Sequence, residues 1–362
     1  MFDRITYQNF PPLIFHLTAA GMTATRLKDF PGRDVSITHI KILNFANMNQ
    51  SAFNNIVDEL EAVHDKTGSH VKITSLIISQ GDHYFTHYFE ARSPVDIRSV
   101  AKPIVCLALG IAIEKGLYFD GERISLDTPI WKFLSKYTNI REPANELKWQ
   151  EVLLIDCLRI TLGHDRGLIF SSDVKEQGES NLIDYVVNYP ITGEVGKDFI
   201  YSNAGTFVIS TLISEYLGMG LDEFVCENLF APLGISEYQW KYYGKYCAGC
   251  TGLKLQNEDL HKIGKLIVND GVYDGGQLVP KLWIDKMRAP HVGSPTHRYV
   301  AGRAFPKWSY GLNLWICQDG NYYCDGTDGQ YLLFIANKGI LATTLGHQPD
   351  TEPVSHCLGI LK

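Results

Sequence analysis

The stretch DIRSVAKPIV, residues 96–105, sets a hydroxyl and an amine three residues apart at the front of a long apolar run. Residues three apart on a helix share a face, so Ser99 and Lys102 are placed to meet. A serine hydroxyl is a poor nucleophile at neutral pH until a base takes its proton. Lysine can be that base when burial and neighbouring cations lower its pKa from about 10.4 toward neutrality. A serine at a helix front also gains the dipole and the unpaired backbone N–H groups, which favour developing negative charge. The following run, IVCLALGIAI, is apolar on every side, so its helix is expected inside a core rather than on a surface.

Upstream, SAFNNIVDELEAVHDKTG carries apolar residues at Phe53, Ile56, Val57, Leu60 and Val63, which predicts a helix capped by Ser51 and stopped at Gly68. KITSLIISQGDHYFTHYFE predicts two strands around a Gln-Gly-Asp turn, and DVSITHIKIL, residues 34–43, predicts another strand. Downstream, NLIDYVVNYP and NAGTFVISTLISEYLG predict helices, the second ending at Gly218. SYGLNLWIC, QYLLFIA and GILATTLGH predict neighbouring antiparallel strands, with PVSHCLGILK a closing helix. Strands therefore lie toward both ends of the chain, with helices between them. The expected fold class is α+β with two lobes. An antiparallel sheet is assembled from residues about 70–98 and 240–362, beside a helical lobe inserted at about 99–240. Residues 1–60 form a lead-in of unassigned role, ahead of a catalytic domain over 61–362. The cleft between the lobes is the expected site.

The composition is that of an ordinary globular protein, with 45% hydrophobic and 20% charged residues in 362. A formal net charge of −7 argues against a nucleic-acid or anionic-membrane partner, either of which would want a basic face. The opening MFDRITYQNFPPLIFHLTAAG lacks the positive start and unbroken apolar core of a secretory signal. IVCLALGIAI reaches only about half the roughly 18 apolar residues of a membrane span. A cytoplasmic location is expected. The eight irregularly spaced cysteines are then expected as free thiols packed like small hydrophobes. CAGC, Cys247 to Cys250, has redox or zinc spacing, yet no second ligand pair accompanies it and no helix-opening strand context surrounds it. No metal or cofactor is expected.

Two further pieces could complete a site around Ser99. DFIYSNAG puts Tyr201 and Asn203 just ahead of a helix. A tyrosine beside a lysine can exchange protons with it, serving as base toward the serine and acid toward the leaving group. Asn203 could hold the lysine and a substrate amide together. The plainer alternatives are a strand-end aromatic and a helix cap. In YYCDGTDGQYLLFI, a glycine-containing strand could bring a backbone N–H close to Ser99 and form an oxyanion hole with the serine's own N–H. The plainer alternative is a hairpin turn, because DGTDG is rich in turn residues.

The order of these pieces resembles the serine β-lactamase-like family, which includes class C β-lactamases, D,D-peptidases, esterases and 6-aminohexanoate-oligomer hydrolases. Ser-Val-Ala-Lys at 99–102 matches its Ser-x-x-Lys motif, and Tyr-Ser-Asn at 201–203 the Tyr-x-Asn variant of its second motif. RSVAKPIVCLALGIAIEKGLYFDGERISLDTPI resembles the nucleophile helix and its sequel. CAGCTGLKLQNEDLHKIGKLIVNDG resembles the strand and helix before the last motif, and LFAPLGI is another family-like piece. The resemblance spans about residues 70–350. It implies that Ser99 is acylated and that Tyr201 is the acid/base. Lys102 is then either the proton acceptor or the cation that tunes Tyr201. Asn203 would contact substrate, and Thr327, within the stretch Asp325, Gly326, Thr327 and Asp328, would offer the second oxyanion N–H. The aromatic run FPKWSYGLNLWI followed by DGQYLLFI looks most like the 6-aminohexanoate-oligomer hydrolases and their esterase relatives.

Two departures from the family pattern matter. Its Lys-Thr-Gly is replaced by Cys324-Asp325-Gly326. An aspartate there would repel a substrate carboxylate by several kcal/mol in a dry site. A neutral or cationic small-molecule ester or amide is therefore the expected substrate. Pro103 follows the lysine and disfavours helical geometry just before it, so a distorted first turn is expected. The expected function is a serine hydrolase working through an acyl-enzyme. An acyltransferase sharing that intermediate and a non-catalytic binding protein on the same scaffold are the alternatives.

Overall fold

The computed structural model describes residues 14–18, 21–25, 48–294 and 304–362. The chain divides into two units, Met1–Phe45 and Ala46–Lys362. In the first, Ile14–Thr18 and Gly21–Thr25 pair as an antiparallel hairpin. The strand expected over residues 34–43 lies outside the described residues. The second unit begins ahead of the boundary expected at residue 60, because the helix α1 (Gln50–Ala62) packs on the sheet. Its buried face is Phe53, Ile56, Val57 and Leu60, the stripe the periodicity marks. Its cap is Asn49 rather than Ser51: the Asn49 side chain accepts from the Ala52 N–H at 2.9 Å. The helix ends at Ala62, well before Gly68, because Val63 turns extended.

The sheet is antiparallel throughout. In chain order its strands are β1 (Ile73–Gln80), β2 (His83–Tyr88), β3 (Val292–Gly293), β4 (Ser309–Tyr310), β5 (Trp315–Ile316), β6 (Tyr322–Gly326), β7 (Gln330–Ile335) and β8 (Ile340–Gly346). Their spatial order is β3-β4-β5-β6-β7-β8-β1-β2, so the last strand closes on the first, with Ala342 opposite Ile78. This is the sheet from both chain ends that the sequence predicts. β1 is buried on both faces, which explains its near-continuous apolar reading. Leu76 and Ile78 join a core with α1 and the closing helix α5 (Glu352–Leu358). On the opposite face, α4 (Asn257–Val268) lays a polar seam across the strands. Asn257 donates to the Ser75 hydroxyl at 3.0 Å, and His261 bonds Ser79 at 2.8 Å and Thr343 at 3.1 Å.

The helical lobe is organised around α2 (Ala101–Glu114), buried from Ala101 to Ala112 on all sides. Beside it runs α3 (Ala204–Leu217), ended by Gly218 in left-handed geometry at φ 67°. Gly205 sits where a Cβ would come within 2.2 Å of the Cys157 carbonyl oxygen, so this crossing requires glycine. The distortion expected just before Pro103 is not at Lys102, which is regular helix; a 3-10 turn lies upstream, over Arg98–Val100, and feeds α2. Pro103 itself lies in the first helical turn, where its missing N–H leaves no bond unmade. The backbone strain falls on Arg98, a non-glycine residue at φ 52°. Among the described residues, no single helix is long and apolar enough to cross a membrane.

Candidate active site

Ser99 occupies the 3-10 turn at the mouth of α2, and the residue before it anchors that turn. The Arg98 amide donates to Asp96 Oδ1 at 2.8 Å, and its guanidinium reaches Asp96 at 3.1 Å. The same guanidinium holds Asp328 Oδ2 through Nε at 2.8 Å and Nη2 at 2.7 Å. Asp328, like Arg98, is left-handed, at φ 70°. An ion pair thus ties together two strained residues 230 positions apart, each adjacent to one of the expected oxyanion donors, Ser99 and Thr327.

Lys102 is completely buried, and its Nζ lies 2.8 Å from Ser99 Oγ and 3.3 Å from the Cys250 carbonyl oxygen. Burial lowers its pKa from the usual 10.5, against the opposing pull of Cys250, Cys324 and Asp325. The Tyr201 phenol lies near enough to Ser99 for the serine to act on its pKa. Its ring stands 5.1 Å from Lys102 Nζ, stacks on Trp315 at 5.5 Å and meets Tyr310 edge-on at 6.2 Å. Burial raises the phenol well above its usual value. Cys324 and Asp325 raise it further, and Ser99 alone among the causes opposes them. The phenol is therefore protonated at rest.

Asn203 neither holds Lys102 nor caps α3 with its side chain. Its Nδ2 donates to the Ile169 carbonyl at 2.9 Å, which fixes the amide orientation, and its buried Oδ1 has no partner. The lysine's second partner is instead the Cys250 carbonyl, and the α3 amide of Ala204 is capped by Ser202 Oγ at 3.1 Å. The orphaned Oδ1 is an acceptor available to an incoming N–H.

The strand and turn readings of the last piece both hold, one after the other. β6 ends at Gly326, and Thr327–Gly329 form a 3-10 turn. A Cβ on Gly326 would lie 2.8 Å from both the Ile97 carbonyl oxygen and Arg98 Cβ, so the strand passes against the nucleophile turn because this residue is glycine. Cys324 Sγ donates to the Ser99 carbonyl at 3.4 Å. The eight cysteines are all free, and burial pushes the Cys250 thiol up to about 11. The CAGC segment contributes a backbone carbonyl.

Asp325 requires a correction. It is not a bare carboxylate: Lys307 Nζ sits 3.0 and 2.8 Å from its two oxygens and 4.3 Å from the centre of the Trp315 ring. An incoming carboxylate would meet a neutralised pair, so the simple repulsion argument fails. Lys307, Trp315, Tyr310 and the Arg98–Asp328 tie carry no spacing rule in the sequence. The only hint was the aromatic run FPKWSYGLNLWI, which holds Lys307, Tyr310 and Trp315. A cavity of about 560 Å³ that includes Phe199, Ile200 and Ser294 opens beside this aromatic wall, where Phe199 packs 5.6 Å from Trp315.

A fold with an antiparallel sheet beside a helical lobe, and a serine–lysine–tyrosine cluster at their junction, defines a β-lactamase/transpeptidase-like protein. The Beta-lactamase family model matches residues 75–356, and the chain belongs to that family of serine hydrolases. A curated relative, the 6-aminohexanoate-dimer hydrolase of Paenarthrobacter ureafaciens, is 20% identical over 295 residues, 77% of this chain and 73% of the relative. Among solved structures, the penicillin binding protein from Bacillus halodurans superposes with a TM-score of 0.63 at 17% identity, covering 87% of this chain and 100% of that one. EstCE1, described as a hydrolase with promiscuous acyltransferase activity, gives a TM-score of 0.65 at 13% identity, covering 85% and 100%.

Proposed function

We propose that the protein hydrolyses a small ester or amide through an acyl-enzyme on Ser99. The observation that carries this reading is the 2.8 Å contact between Ser99 Oγ and the buried Lys102 Nζ, with the Tyr201 ring 5.1 Å from the same nitrogen. Lys102, whose pKa is lowered by burial, accepts the Ser99 proton as the oxygen attacks the substrate carbonyl. The N–H groups of Ser99 and Thr327 receive the developing oxyanion. Tyr201, protonated at rest, gives its proton to the leaving group and is reprotonated by Lys102. Asn203 Oδ1, buried without a partner, accepts an N–H of an amide substrate. Water then releases the acyl group from Ser99. Transfer to an amine or alcohol would use the same intermediate, and product analysis with added alcohol separates the two. The 6-aminohexanoate-dimer hydrolase relative supports an amide among the substrates to try first.

A fluorophosphonate probe tests the reading before any substrate is known. Mass mapping should place the adduct on Ser99 and find none in Ser99→Ala; an adduct elsewhere, or none, overturns it. Lys102→Ala and Tyr201→Phe should each slow acylation by about 10²–10⁴-fold. The kcat/KM profile should rise with pH through an apparent value belonging to the lysine–tyrosine pair and lying below that of a free lysine.

A further inference from the structure

We propose that Lys307 and Asp325 form a charge-cancelled subsite beside Ser99 that selects uncharged acyl substrates, with Asp325 masking a cation that would otherwise receive a substrate carboxylate. The proposal rests on the acyl-enzyme reading above and names the substrate class that this site admits.

The pair sits within reach of the chemistry. Asp325 directly precedes Gly326, the residue pressed against the Ser99 turn. Lys307 Nζ lies over Trp315, and the same ring carries Tyr201 at 5.5 Å. Both oxygens of Asp325 are taken by the one ammonium, at 3.0 and 2.8 Å. Side-chain exposures of 10% for Lys307 and 14% for Asp325 leave the pair poorly screened by water but still open to a ligand.

At such depth the cost of unpairing governs binding. A carboxylate that reached Lys307 would have to displace Asp325 and leave it unpaired among protein atoms. An ammonium that reached Asp325 would strand Lys307 in the same way, and stranding a buried charge costs more than a new pair returns. An uncharged acyl chain disturbs neither. A bare Asp325 would favour cationic substrates; the paired one disfavours both signs. Cys324 stands where the Lys-Thr-Gly pattern would put its lysine, and Lys307, arriving ahead of β4, places a cation on the neighbouring Asp325.

The test uses the full chain and three p-nitrophenyl esters of matched length: one uncharged, one ending in a carboxylate and one ending in an ammonium. The wild type should prefer the uncharged ester over both others by about tenfold or more in kcat/KM. Asp325→Asn, which keeps the shape and an acceptor for Lys307, should raise the carboxylate-to-neutral ratio by about tenfold or more. Lys307→Met should raise the ammonium-to-neutral ratio to a similar degree. Each ratio is taken within one variant, so a general loss of rate cancels. If a single variant fails to fold, the exchanged pair K307D/D325K, which keeps the charges cancelled, should return the wild-type order. Unchanged ratios in the folded variants, or a wild type that prefers a charged ester, overturn the subsite. Flat ratios with Ser99 still labelled by the neutral fluorophosphonate sink the subsite alone. Loss of that labelling in the wild type sinks both readings.

Discussion

At the scale of single residues, the backbone beside Ser99 is left-handed at Arg98, whereas Pro103 sits in an ordinary helical turn. Arg98 and Asp328 both hold left-handed backbone and are tied by their side chains, which holds together the two turns that carry Ser99 and Thr327. Asp328→Ala should lower kcat by about 10–100-fold with KM little changed, within the range for a displaced oxyanion donor; a steady-state comparison with Asp328→Glu checks it. Pro103→Ser should shift unfolding by less than about 1 kcal/mol in a urea titration, because the native turn already suits proline. Much of the constellation was legible at this scale. Ser99 and Lys102 are one turn apart, and Tyr201 precedes a recognisable helix start. The partner of Asp325 was not legible, because Lys307, in the loop ahead of β4, meets β6 only when residues 18 apart in sequence fold together. The protein partners of Asn203 were not legible for a related reason. A neighbouring serine took the cap, and the Ile169 carbonyl took the amide.

Elements set these side chains by how closely they pack. Gly326→Ala would put a methyl group 2.8 Å from a backbone oxygen, so β6 must retreat from the nucleophile turn. A stability loss of about 1–3 kcal/mol and a larger fall in acylation rate are expected, measurable by thermal melts and probe labelling of the same sample. The α4 seam carries a different liability. Burial holds His261 down to about 3, against 6.5 for the unfolded chain, so the native state keeps it neutral. Its contribution is complete above pH 6.5 and lost as pH falls toward 3, with about 2 kcal/mol gone by pH 5. His261→Gln, with no charge to gain, should flatten part of that acid limb in chemical denaturation. Helices and strands were legible from periodicity, whereas this polar seam was not. A serine on a strand buried on both faces looks the same in sequence as one facing water.

On the scale of the whole molecule, the apolar interior forms two clusters, one joining the helical lobe to the sheet and one joining α1 and α5 to it, and α1 is part of the second although it precedes the family match at residue 75. A chain starting at Ala46 should therefore keep the thermal transition of residues 46–362, while one starting at Val71 should melt earlier because Leu76 and Ile78 lose their cover. Calorimetry of the two truncations distinguishes these outcomes. The closure of β8 on β1 also has a consequence for biogenesis. During synthesis Ser99, Lys102 and Tyr201 leave the ribosome before β6, which packs against the Ser99 turn, and before β8, which closes the sheet on β1. A nascent polypeptide therefore cannot seat that hydroxyl until β6 has followed it out, and a fragment broken off between the two should stay unlabelled by the fluorophosphonate probe.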